Sequence, residues 1–192
     1  MKIGLFFGSF NPIHIGHLAL ANYFVEFTDL DKIWFVVSPQ NPFKKRSSLL
    51  SDYHRLYMVN LAIEESPRKY SSSNIEFNMP KPSYTIDTLI YLEDKYPHYD
   101  FVLIMGADNL KGFHKWKNYE LIADKYQLYV YPRIGYDFEP ENLSVKYTIV
   151  DAPRIEISSS FIRKSIFEGK DVSFFMHPKV ANFIDEMNFY KK

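Results

Sequence analysis

Gly8-Ser9-Phe10-Asn11-Pro12-Ile13-His14-Ile15-Gly16-His17-Leu18 follows directly on the apolar run Ile3-Gly4-Leu5-Phe6-Phe7. A short apolar run that meets turn residues and then a helical pattern reads as a buried strand feeding a loop and a helix. Gly8 and Gly16 permit close backbone approach, Asn11-Pro12 sets a turn, and two imidazoles flank Gly16. The first amides of a helix lack intrahelical acceptors, and the helix dipole favours negative charge beside them. With two histidines there that can donate hydrogen bonds and carry positive charge, the stretch points to a site for phosphate groups.

Outward from this stretch, strand-like and helical runs alternate. Residues 32–37, 74–77, 100–105, 127–131 and 147–150 read as strands; residues 51–65, 84–96, 119–125, about 159–168 and about 178–187 read as helices. In the first of these helices Leu56, Val59, Asn60 and Ile63 share a face, and Ser51 or Asp52 can cap it. Such alternation predicts an α/β fold, a Rossmann-like doubly wound parallel sheet, because each crossover helix returns the chain to the same end of the sheet. At 192 residues and 46% hydrophobic, with no linker, repeat or low-complexity tract, residues 1–192 are expected to form a single domain. In such sheets ligands bind beyond the carboxyl ends of the strands at the switch in strand order. The first loop, Gly106-Ala107-Asp108 and the run Ile157-Ser158-Ser159-Ser160-Phe161-Ile162-Arg163 all fall where that rule looks.

Composition removes several function classes. Lys+Arg and Asp+Glu both total 23, so no basic excess advertises nucleic acid or an anionic membrane. Cysteine is absent, which removes disulfides, thiolate nucleophiles and Cys-ligated zinc. No run reaches the roughly 20 apolar residues of a spanning helix, and the apolar start is too short for a signal peptide, so a cytoplasmic protein is expected. No GxGxxG follows the first strand, which argues against a nicotinamide-dependent dehydrogenase. His14 and His17 lack neighbouring Cys, Asp or Glu to complete a metal shell, and no protein metal ligands are expected. The 17 Phe and 15 Tyr are mostly core by default.

The opening loop resembles the "(S/T)xxHxGH" element of the HxGH nucleotidyltransferase superfamily. Pro42-Phe43-Lys44, Ser51-Asp52-Tyr53-His54-Arg55, Pro82-Ser83-Tyr84-Thr85-Ile86-Asp87-Thr88, Gly106-Ala107-Asp108 and Lys115-Trp116 accompany it. The run Ile157–Arg163 is similar to the superfamily's "ISSTxIR" element. Together these segments span nearly the whole chain in the order seen in the bacterial nicotinate mononucleotide adenylyltransferases.

The resemblance implies transfer of AMP from ATP to nicotinate mononucleotide, with Mg2+ bound mainly through the ATP phosphates. His14 and His17 would be catalytic, with His17 nearest the reacting phosphate. Gly8, Ser9, Phe10, Gly16, His17, Lys44, Ser158, Ser159 and Arg163 would bind ATP; Thr85, Asp108 and Trp116 would surround the acceptor. Neither nucleic acid nor membrane is expected as a partner; self-association stays open. Alternatives also stay open: nicotinamide mononucleotide or phosphopantetheine as acceptor, or a non-catalytic nucleotide- or RNA-binding module. Individual residues have plainer roles available. Asp108 could cap a helix, Trp116 and Tyr84 could be packing, Lys44-Lys45-Arg46 could be a solvated loop, and His54 and Arg55 could hold their helix in place. Three positions depart from the family pattern: Phe7 where it usually has glycine, Asn11 where it has Asp, and Pro82 where it has Gly.

Overall fold

The computed structural model describes residues 1–39, 49–136 and 145–192. Six parallel strands form one sheet: β1 (Lys2–Gly8), β2 (Lys32–Val37), β3 (Tyr70–Ser73), β4 (Asp100–Gly106), β5 (Gln127–Tyr131) and β6 (Thr148–Ile149). Their order is β3-β2-β1-β4-β5-β6. Helices α1 (Ile15–Phe27), α2 (Asp52–Ile63), α3 (Thr85–Lys95), α4 (Ala107–Lys111), α5 (Tyr119–Lys125), α6 (Ser159–Phe167) and α7 (Pro178–Glu186) cover both faces.

Strand pleating divides the core into two layers, since successive side chains point to opposite faces. Phe6, Ile33, Phe35, Ile104, Tyr129 and Tyr131 pack on one side with residues of α1, α2, α6 and α7. Ile3, Leu5, Val36, Leu103, Met105 and Val130 pack on the other with α3, α4 and α5. This is the doubly wound, Rossmann-like arrangement predicted from the alternation. Because β1 lies between β2 and β4, the direction of winding reverses there and leaves a crevice beyond the carboxyl ends of β1 and β4.

Two local expectations are corrected. Residues 74–77 are not a strand: β3 precedes them, and Ile75–Asn78 is a 3-10 turn. Its residue Glu76 turns inward to meet hydroxyl donors instead of alternating on an edge. On α2 the fully buried residues include Arg55 and Met58, whereas Asn60 is exposed. The Arg55 guanidinium is buried because main-chain carbonyls surround it: Nε donates to Leu50 O (3.1 Å), Nη1 to Ser9 O (2.5 Å) and Ser38 O (2.9 Å). Asp52 Oδ1 accepts from Nη2 at 2.6 Å. Ser51 is the cap of α2, its hydroxyl accepting from the His54 N–H. No helix among the described residues is long and apolar enough to cross a membrane.

Candidate active site

A cleft of about 680 Å3 opens beyond β1 and β4. Gly8, Ser9, Phe10, His14, Gly16, His17, Thr85, Asp108, Trp116, Ser158, Ser159 and Arg163 all line it, which brings together segments scattered along the chain. Lys44 lies outside the described residues.

The first loop is built around a strained turn. Phe10 has φ of 44°, a left-handed conformation that costs a non-glycine residue about 1 kcal/mol or more. Its ring is 1% exposed and packs against His17, Phe35 and Phe6, with centroids 5.1, 5.6 and 6.0 Å away. Phe10 therefore forms a floor beneath His17. Gly8 is required by this turn, because a Cβ there would stand 2.7 Å from the Phe10 ring. At Gly16 a Cβ would come 3.0 Å from His14 Nδ1.

The histidines differ in chemistry. The His14 N–H donates to His17 Nδ1 at 3.3 Å. An accepting Nδ1 places the proton of neutral His17 on Nε2, so that nitrogen is a donor. His14 is only 4% exposed, and its Nδ1 has no hydrogen-bond partner. Burial, helped by the charge of Arg133, lowers its pKa to about 4. Burial therefore keeps His14 neutral near pH 7 in the ligand-free chain.

Opposite them stands the start of α6. The Ser158 hydroxyl caps the helix by accepting from the Phe161 N–H (3.1 Å), and the Ser159 hydroxyl donates to Pro12 O (2.9 Å). Arg163 Nη1 donates to Asn11 O (2.8 Å) and Nη2 to the Ser160 hydroxyl (3.3 Å). The late serine–arginine element therefore braces the first loop as well as facing the cleft.

The other end of the cleft is aromatic. Trp116 packs on Phe113 with centroids 5.4 Å apart, and Tyr84 and Thr85 open α3. Tyr84 is more than packing: the Lys117 ammonium sits 4.9 Å from its ring centroid and pairs with Asp87 at 2.9 Å. Asp108 stands in the first turn of α4 and makes no cap hydrogen bond; Gly106 is the cap residue. Its Oδ1 is buried without a hydrogen bond, with Arg133 Nε at an ion-pair distance of 3.5 Å. His54 takes no part in the cleft and packs on Phe189, 4.9 Å between centroids. Phe7 lies within β1, and Pro82 sits just ahead of cleft-lining Ser83, so neither departure displaces the histidines.

Sequence reasoning missed Glu76, Ser83, Lys117 and Arg133, all of which line the cleft. Glu76 is 2% exposed and accepts from Thr88 Oγ1 (2.8 Å) and Ser83 Oγ (2.9 Å). Burial raises its pKa, offset by hydrogen bonds from Thr88, Ser83 and Ser38. Ser83 and Thr88 belong to the quoted Pro-Ser-Tyr-Thr-x-Asp-Thr string, so the string itself held a signal for a buried acceptor between them. Among the described residues no group of three or more His, Cys, Asp or Glu could hold a metal ion.

The profile of the cytidylyltransferase-like family matches residues 5–165. The chain belongs to the cytidylyltransferase-like family. Relatives of this cytidylyltransferase-like chain include a Flavobacterium johnsoniae protein, 56% identical over 100% of both chains, and a Bacteroides thetaiotaomicron protein, 48% identical over 97% of this chain and 92% of its own. Each bears the name "Probable nicotinate-nucleotide adenylyltransferase". The resemblance read from the motifs therefore holds along the full length. Among solved structures, the Plasmodium falciparum nicotinic acid mononucleotide adenylyltransferase complexed with NaAD superposes with a TM-score of 0.80 at 23% identity, covering 98% of this chain and 97% of that one. That likeness establishes the shared fold of the cytidylyltransferase-like chain.

Proposed function

We propose that this chain is a nicotinate-nucleotide adenylyltransferase, which joins the AMP moiety of ATP to nicotinate mononucleotide and releases pyrophosphate, a step of NAD biosynthesis. One observation carries the reading: a single cleft joins a histidine- and helix-lined anion site to an aromatic pocket, so a triphosphate and a ring-bearing mononucleotide can meet in it.

The chemistry needs no general base. A phosphomonoester has a second pKa of about 6, so the acceptor's 5′-phosphate is largely dianionic at neutral pH. One of its oxygens attacks the α-phosphorus of ATP. The bond from that phosphorus to the bridging oxygen of the β-phosphate breaks, and both bonding electrons leave with pyrophosphate. What the protein must supply is alignment and relief of negative charge. The Nε2–H of His17, Arg163 and the first amides of α6 would face the polyphosphate, with the ring of His14 stacked against His17. Lys44, by the resemblance, would add a cationic contact to ATP. Mg2+ held by the phosphate oxygens of the substrate ATP would add relief of negative charge, and such binding needs little of a protein carboxylate cage.

At the acceptor end, Trp116 stacks on the pyridine ring and the opening turn of α3 at Thr85 offers backbone donors to its carboxylate. The cleft-lining carboxylate of Asp108, its Oδ1 turned to Arg133, would offer its other oxygen to a ribose hydroxyl. A cytoplasmic setting accords with ATP as donor.

The test is direct. Incubated with MgATP and nicotinate mononucleotide, the protein releases pyrophosphate and forms the dinucleotide, and turns over nicotinamide mononucleotide more slowly. ATP binding without pyrophosphate release would support the non-catalytic module instead.

A further inference from the structure

Asn11, 1% exposed, is a junction between distant parts of the chain. Its Oδ1 accepts from the Leu50 N–H (3.3 Å) and from the Tyr190 hydroxyl (2.7 Å), while its carbonyl accepts from Arg163 Nη1 (2.8 Å). Tyr190 lies beyond α7 and does not line the cleft. Its φ is 63°, a conformation uncommon for residues other than glycine. Its neighbour Phe189 packs on His54 of α2 and Phe183 of α7, with centroids 4.9 and 5.6 Å away, which anchors the segment.

Next to Asn11, Phe10 holds its left-handed conformation. A strained turn persists only where surrounding bonds over-determine it, and the hydrogen bonds to Asn11 do so. Burial pushes the Tyr190 phenol up, partly offset by the facing guanidiniums of Arg163 and Arg55, so the hydroxyl remains a donor at neutral pH.

We propose that Tyr190 is a positioning residue for the polyphosphate end of the cleft: its hydroxyl, bound to Asn11 Oδ1, fixes residues 9–13 and through them the entry of His14 and His17 into α1. The ordering of the loop stands by itself; its consequence for ATP rests on the function proposed above.

Tyr190→Phe removes the hydroxyl and keeps the ring, so it tests the bond without emptying the site. Hydrogen exchange at the amides of residues 8–17 should quicken about fivefold, the effect of losing one ordinary hydrogen bond. The KM for ATP should rise by a similar factor, while the KM for nicotinate mononucleotide stays within about twofold and the far-UV melting curve keeps its cooperativity. Unchanged exchange in the loop would overturn the proposal, as would equal rises in both KM values, which mark general loosening. If the unaltered protein releases no pyrophosphate, the functional reading fails, and the exchange measurement still decides whether Tyr190 orders the loop.

Discussion

The imidazoles of His14 and His17 lie face to face, with ring centroids 3.7 Å apart and planes tilted by 29°. At that separation a positive charge on one ring would repel a positive charge on the other. His14, the more buried, is the ring held neutral.

His17→Ala should lower kcat by roughly 100-fold or more, the usual loss when one pre-placed donor to developing oxyanion charge is removed. Its melting temperature should stay within about 5 °C of the parent, since the side chain is half-buried over a ring that remains. Steady-state rates and calorimetry on the same preparation decide it. A kcat within twofold or so of the parent would remove His17 from the chemistry.

His14 should make folded stability fall in acid. Its pKa is about 4 when folded, against 6.5 for the exposed group, so the unfolded chain binds more protons between those values. Stability from this residue is therefore complete above about pH 6.5, declines as pH falls toward about 4, and then levels off. The full shift corresponds to roughly 3 kcal/mol. Urea unfolding at pH 7 and pH 4.5 should show a smaller acid loss for His14→Gln than for the parent; identical losses would refute this origin.

Glu76→Ala should act on the acceptor. Removing the carboxylate leaves the Ser83 and Thr88 hydroxyls without their buried acceptor and frees the turn that leads into Thr85. The KM for nicotinate mononucleotide should rise about tenfold with the KM for ATP little changed. Glu76→Gln, which keeps one oxygen, should recover part of the loss. An effect of equal size on both substrates would show that Glu76 supports the whole fold.

Arg55→Met should destabilise the protein by roughly 3 kcal/mol, because it strips hydrogen bonds from the half-buried carbonyls of Ser9, Ser38 and Leu50 and leaves Asp52 with only Lys81, 3.5 Å away, as a cationic partner. Thermal unfolding should fall by about 10 °C. Arg55→Lys should not restore it, since a single ammonium cannot reproduce the planar fork.

Where a signal was local, the sequence displayed it. The Ile3–Phe7 run, the turn at Asn11-Pro12 and the glycines around His17 announced strand, loop and helix, and Pro132 marked the end of β5. β3 was missed because Tyr70–Ser73 is a polar edge strand, half-buried at every position, with no alternation to read. That Arg55 could hold its helix in place was legible, but its complete burial was not, because two of the carbonyls around it, those of Ser9 and Ser38, belong to other parts of the chain. Glu76 escaped because residues 74–77 read as a strand, although its partners Ser83 and Thr88 lie close by in sequence. Arg133 escaped because its partner Asp108 comes from the neighbouring strand's loop, which the winding of the sheet brings to it. The chemistry of the two histidines was visible as a pair, but their division into a neutral ring and a tautomer-fixed donor depends on burial and one backbone hydrogen bond.

Ser159 and Arg163 tie back to Pro12 and Asn11 across most of the polypeptide. During synthesis from the amino terminus, the opening loop emerges long before the residues that tether it have been translated. A nascent chain can thus pair β1 with β2 while the loop after β1 is still untethered. That corner is completed late in translation, when α6 reaches the sheet.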